Sequence, residues 1–111
     1  MTERVDIWHN PRCSKSRLAL AWLQDRGIEP EVRLYLKNAP TEADLRSMMA
    51  ALGRPAADML RAKEGAALKS ESEDAILSAM ASDPALIERP VIRKGNRAVI
   101  ARPTEALESL F

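Results

Sequence analysis

The chain holds one cysteine, Cys13, within His9-Asn10-Pro11-Arg12-Cys13-Ser14-Lys15-Ser16-Arg17, where a short apolar run passes into a helical pattern. A thiolate at a helix N-terminus is stabilised by backbone N–H groups that lack intrahelical partners and by the positive end of the helix dipole. Arg12, Lys15 and Arg17 add positive charge, so Cys13 reads as a nucleophile. A cysteine that only fills a gap at a strand end would want apolar neighbours instead. Ser16 completes a Cys-x-x-Ser, and with no second cysteine in the chain any oxidised Cys13 must be resolved by an outside thiol. The Ser16 hydroxyl lies one turn along, placed to donate to a thiolate or oxyanion; its plainer reading is a solvated first-turn serine. His9, the single histidine, would favour the ionised thiol if protonated, and otherwise reads as a polar loop residue.

Three arginines are candidates for binding an anion beside that thiol. Arg89 and Arg102 each precede a proline, at Arg89-Pro90 and Arg102-Pro103, on either side of a hairpin pattern; Arg61 follows Leu60 in the helical middle of the chain. Forked, planar guanidiniums match two oxygens of an oxyanion at once. Pro90 is a candidate cis-proline that would aim Arg89 at the nucleophile.

The elements that must position these residues follow from periodicity and breakers. Val5 to Trp8 reads as a strand ended by Pro11, and residues 14–26 as a helix with Leu18, Ala21 and Trp22 facing inward and Gly27 as its left-handed stop. Val32, Leu34 and Leu36 alternate through a second strand, expected parallel to the first. Thr41 caps a helix that buries Leu45, Met48, Met49 and Leu52 and stops at Gly53. Pro55 opens a short helix carrying Met59, Leu60 and Arg61; residues 63–70 read as a mobile connection. Ser70 and Glu73 fit a capping box for a helix through Ala75, Ile76, Ala79 and Met80, and Asp83-Pro84 starts one more turn. Val91 to Arg93 and Ala98 to Ile100 flank a turn containing Gly95, a hairpin signal, and Pro103-Thr104 begin a last amphipathic helix. The order βαβ, helices, ββα is that of an α/β, thioredoxin-like fold: a mixed four-stranded sheet with an inserted helical segment at about 41–88, in one domain spanning 1–111.

Composition narrows the function classes. A formal charge of +1 with 30% charged residues gives no bulk attraction for nucleic acid, and the lone cysteine excludes a disulfide framework or a cysteine-rich metal site. No run approaches the roughly 20 apolar residues of a membrane span, and Met1 to Asp6 does not read as a signal peptide, so the expected compartment is the cytoplasm.

Taken together, the nonapeptide around Cys13, Leu34-Tyr35-Leu36, Leu60-Arg61, Glu88-Arg89-Pro90-Val91 and Ala101-Arg102-Pro103-Thr104-Glu105 resemble the glutaredoxin-dependent arsenate reductase (ArsC-like) family nearly end to end. Ser14-Lys15, where other members carry Gly-Thr, brings the chain nearer the housekeeping Asn-Pro-Arg-Cys-Ser-Lys-Ser branch. The resemblance implies that Cys13 attacks arsenate, that Arg61, Arg89 and Arg102 bind the oxyanion, and that His9 and Ser16 support the ionised thiol. It further implies glutathione as co-substrate, glutaredoxin as partner and no bound cofactor or metal. Two other functions fit the same residues: reduction of a different thiol substrate, whose carboxylate or phosphate the arginines would hold, and a non-enzymatic, Spx-like regulator that binds a large partner. A Cys-x-x-Ser in place of Cys-x-x-Cys argues against a disulfide switch in the latter.

Overall fold

The structure, a computed structural model, describes residues 4–111; the first three residues, which enter the reading of the N-terminus, lie outside them. Strands β1 (Val5–Trp8), β2 (Glu31–Arg33), β3 (Val91–Lys94) and β4 (Arg97–Ile100) form one sheet in the order β2-β1-β3-β4. β1 and β2 run parallel with Ile7 opposite Val32, and β3 is antiparallel to both its neighbours, Ile92 facing Ile7 on one side and Val99 on the other. The two-residue alternation of the strands sends side chains to two apolar layers. Val5, Ile7 and Ile92 pack with Ala19 and Leu23 of helix α1 (Ser14–Asp25) and with Leu107 and Leu110. Trp8, Val91 and Ala98 pack on the other face with Leu45 and Met48 of α2 (Glu42–Leu52) and Ile76, Leu77 and Met80 of α3 (Glu73–Ser82). This is the mixed-sheet, thioredoxin-like arrangement expected, except that the last helix, Thr104–Ser109, is of the tighter 3₁₀ type.

Helix α2 follows its sequence signals closely. Thr41 accepts from the Asp44 N–H while the Asp44 carboxylate accepts from the Thr41 N–H, and Gly53 ends the helix at φ +66°. The hairpin also closes as expected, through Gly95 at φ +60°.

Other expectations are corrected. On α1 the buried stripe is Ser16, Ala19 and Leu23, not Leu18, Ala21 and Trp22; Leu18 is 53% exposed. The stripe contains a serine, which hides its phase from any count of apolar residues. Trp22 instead lies half-buried under the Arg26 guanidinium, 3.6 Å from the ring centroid. Strand β2 ends at Arg33 because the chain turns at once: the Lys37 and Asn38 N–H groups both donate to the Leu34 carbonyl. Leu34 and Leu36 therefore face solvent and Tyr35 is the residue that turns inward.

In the helical segment, α3 is capped by Ser72, whose hydroxyl accepts from the Ala75 N–H, and not by Ser70. Glu73, expected to reach back to Ser70, accepts from the Ala56 N–H instead. Ala75 is exposed and Leu77 takes its place in the core. The turn after Pro55 is a 3₁₀ helix, Ala56–Met59, that stops short of Leu60 and Arg61. Residues 63–70 are folded as successive turns with a 3₁₀ segment Ala66–Leu68, held by Gly65, which is buried and donates its N–H to the Arg61 carbonyl at 2.8 Å. A Cβ on Gly65 would meet that carbonyl and the Leu60 Cβ, each at 2.8 Å, so only glycine fits.

Candidate active site

Cys13 is the N-cap residue of α1, at the end of the loop leaving β1. Asn10 shapes the loop: its carbonyl accepts from the Cys13 N–H at 3.0 Å and its side-chain oxygen accepts from the Arg12 N–H at 3.0 Å. The His9 N–H donates to the Arg33 carbonyl at 2.9 Å, tying the loop to the end of β2. Parallel strands followed by helices leave a ligand-accepting crevice at their carboxyl ends, and this is where Cys13 stands.

Ser16 and His9 are paired with each other beneath the loop. Ser16 is fully buried; its Oγ accepts from the Asn10 N–H at 3.0 Å and lies 2.6 Å from His9 Nδ1. With one lone pair taken by that N–H, the hydroxyl proton is free to donate to an unprotonated Nδ1. Burial, followed by the positive charge of Arg17, holds the His9 imidazole below its usual range, which favours the uncharged ring at neutral pH. The pair thus locks the loop from beneath.

The three arginines arrive from distant segments. Leu60 forms an isolated antiparallel bridge with Ile87; the Arg61 N–H donates to the Leu86 carbonyl at 2.9 Å and the Glu88 N–H to the Met59 carbonyl at 2.7 Å. That bridge pairs the segment carrying Arg61 with the segment that leads through Glu88 to Arg89. The peptide bonds Arg89-Pro90 and Arg102-Pro103 are both cis. After β4 the chain returns past Pro90, whose carbonyl accepts from the Ala101 N–H at 3.0 Å. Arg102 Nε donates to the Arg89 carbonyl at 2.6 Å and its Nη2 lies 3.7 Å from Cys13 Sγ.

Charge around the thiol is partly balanced before any ligand binds. Arg61 is ion-paired with Glu64, and Arg102 Nε lies 3.4 Å from Glu88 Oε1. Arg89 has no carboxylate partner among the described residues. Three buried donor groups, Arg61 Nη1, Arg89 Nε and the Tyr35 hydroxyl, find no acceptor among the described residues. Unpaired buried donors are costly, and donors of this kind are what an oxyanion satisfies. Among the described residues no cluster of three His, Cys, Asp or Glu side chains is placed to hold a metal. A groove of about 710 Å³ bordered by Trp8, Arg33, Met48 and Arg93 does not include Cys13.

Glu64, Glu88, Asn10 and Tyr35 were not singled out from sequence. Glu88 adjoins Arg89 and Asn10 adjoins His9, but only the folded backbone shows which way each turns.

Comparison with known proteins places the chain in a family. The ArsC family model matches residues 8–110. A protein of Escherichia coli K12 named "Uncharacterized protein YfgD" is 44% identical, covering 95% of this chain and 94% of its own length. An arsenate reductase of Neisseria meningitidis is 40% identical over 96% of this chain and 97% of its own. The solved structure of an arsenate reductase from Vibrio cholerae superposes over the whole of both chains with a TM-score of 0.92 at 36% identity. By the extent of the family match and the identity of these relatives, the chain belongs to the ArsC family.

Proposed function

We propose that the protein is a glutathione- and glutaredoxin-dependent arsenate reductase acting through Cys13. The observation that carries this reading is the Arg102 guanidinium 3.7 Å from the Cys13 sulfur, in a site where Arg61 and Arg89 hold buried donors in reserve. Arsenate binds to Arg61, Arg89 and Arg102, and the Cys13 thiolate attacks arsenic with loss of one oxygen as water. Arginines and the N-terminus of α1 stabilise the negative charge on the equatorial oxygens. Glutathione attacks next, and glutaredoxin, as the second thiol, resolves the mixed species. Two thiols end as one disulfide, and their two electrons take arsenic from the +5 to the +3 state, released as arsenite. Every electron passes through sulfur, so the cycle needs no bound metal or flavin. Names of the relatives support the substrate; the chain's lone cysteine supports the external thiols.

The test is arsenate-dependent NADPH oxidation in an assay coupled through glutathione, glutaredoxin and glutathione reductase. Turnover by the wild type that vanishes in Cys13→Ser, with the circular dichroism unchanged, is expected; equal turnover by the variant overturns the mechanism. The counter-charges Glu64 and Glu88 favour a second substrate class, since they leave Arg89 as the guanidinium free of an ion pair and so suit a singly charged anion. A glutathionylated thiol bound through a carboxylate has that charge, and its reduction in the same assay, with arsenate inert, would select this reading.

A further inference from the structure

Tyr35 is the only tyrosine in the chain and one of its most deeply buried side chains, 1% exposed, yet its O–H proton has no acceptor among the described residues. A phenylalanine would fill the same space without stranding an O–H. Buried hydroxyls are ordinarily paired, and an exception in a native chain calls for a reason. The position supplies one. Tyr35 lies two residues beyond Arg33, whose carbonyl holds the His9 N–H, so it sits at the same end of the sheet as the Cys13 loop. Its neighbours Leu34 and Leu36 are exposed, and the turn at residues 34–37 points Tyr35 alone inward. There it belongs to the same packed cluster as Leu60 and Ile87, the two bridged residues that directly precede Arg61 and Glu88.

We propose that Tyr35 is a further substrate-binding residue of this site, its buried phenol serving as an uncharged hydrogen-bond donor to the oxyanion held beside the Cys13 sulfur. This rests on the reading of the site as an oxyanion pocket. An uncharged donor matters here because the arginines already draw in Glu64 and Glu88; a phenol strengthens anion binding without attracting another carboxylate. The donor is also secure. Burial, and next the negative charge of Cys13 as thiolate, push the Tyr35 phenol up to about 12, against a smaller opposing effect of Arg61, so it keeps its proton at physiological pH. The Asn10 side-chain amide approaches the phenol oxygen as a donor and opposes that shift least, while its oxygen is taken by the Arg12 N–H, so Asn10 offers the phenol proton no acceptor.

Two measurements on the full chain test it. Because Tyr35 is the sole tyrosine, protein made with 3-fluorotyrosine gives one ¹⁹F resonance from this position. Titration with arsenate should shift it over the same concentrations that protect Cys13, the sole thiol, from iodoacetamide. Tyr35→Phe should raise the arsenate concentration for half-protection roughly tenfold, about what one neutral hydrogen bond supplies, with no fall in melting temperature. Equal protection in Tyr35→Phe, a resonance that stays still while Cys13 becomes protected, or no protection of the wild type overturns the proposal. Turnover is read separately: arsenate that shifts the resonance and protects Cys13 without being reduced removes the reductase reading and leaves Tyr35 as a donor.

Discussion

Arg102 places a guanidinium N–H 3.7 Å from the sulfur of Cys13 although 89 positions separate them in the chain. Arg102 Nε is anchored to the Arg89 carbonyl, so one backbone oxygen couples the position of Arg89 to the orientation of Arg102. Arg102→Lys keeps the charge but loses the fork, and Arg102→Ala loses both. Under the arsenate reductase reading, kcat/KM should fall about 10²-fold or more for the alanine variant and less for the lysine. Steady-state rates in the coupled assay decide it; a rate within twofold of wild type for Arg102→Ala would exclude this arginine from the reaction.

Gly65→Ala tests whether the segment after Arg61 is packed or loose. Its new methyl would stand 2.8 Å from the Arg61 carbonyl, so the backbone carrying Arg61 must move. Overpacking of this kind costs about 1–3 kcal/mol. We expect a lower urea midpoint with an unchanged m-value, together with reduced kcat/KM. An unchanged midpoint would mean that residues 63–70 yield freely.

Ser16→Ala separates a loop lock from a thiolate donor. The substitution strands the buried Asn10 N–H and removes the His9 contact, a loss of about 1–3 kcal/mol measurable by chemical denaturation. A serine that acted only on the thiolate would leave stability unchanged and alter Cys13 alkylation alone.

The buried imidazole predicts a pH dependence. His9 in the fold titrates below its ordinary value of about 6.5, so as pH falls through that value the unfolded chain binds a proton that the folded chain refuses. The stability tied to the neutral ring is fully present above about pH 6.5 and is lost as pH falls toward the folded value. Melting temperatures between pH 7.5 and 5 should drop more steeply for wild type than for His9→Gln, since the carboxylates titrate in both. Parallel slopes would refute the effect.

Local signals were readable wherever a side chain and its own neighbours settle the structure. Thr41 with Asp44, Gly53 and the turn at Gly95 are complete within a few residues, so capping and hairpin chemistry show in the order of residues alone. Helix α1 was readable as a helix but not in its facing, because a polar Ser16 occupies the buried stripe for the sake of His9 and Asn10, partners outside the helix. Strand β2 was overextended because the alternation of Val32, Leu34 and Leu36 continues past the point where the Leu34 carbonyl captures two N–H groups.

The sequence by itself singled out Cys13 as the candidate nucleophile, since a lone cysteine at a helix start amid basic residues needs no distant partner to be noticed, and under that reading the single thiol calls for an external one. It also marked the two Arg-Pro pairs as boundaries of the hairpin. Only the tertiary structure decided what surrounds the sulfur. The bridge between Leu60 and Ile87 and the return of the chain past Pro90 are backbone pairings between separate segments, and with the local turn that aims Tyr35 inward they bring Arg61, Arg89, Arg102 and the phenol to one end of the sheet. Residue spacing carries no trace of such pairings, because each is fixed by hydrogen bonds and packing between segments that the chain order keeps apart.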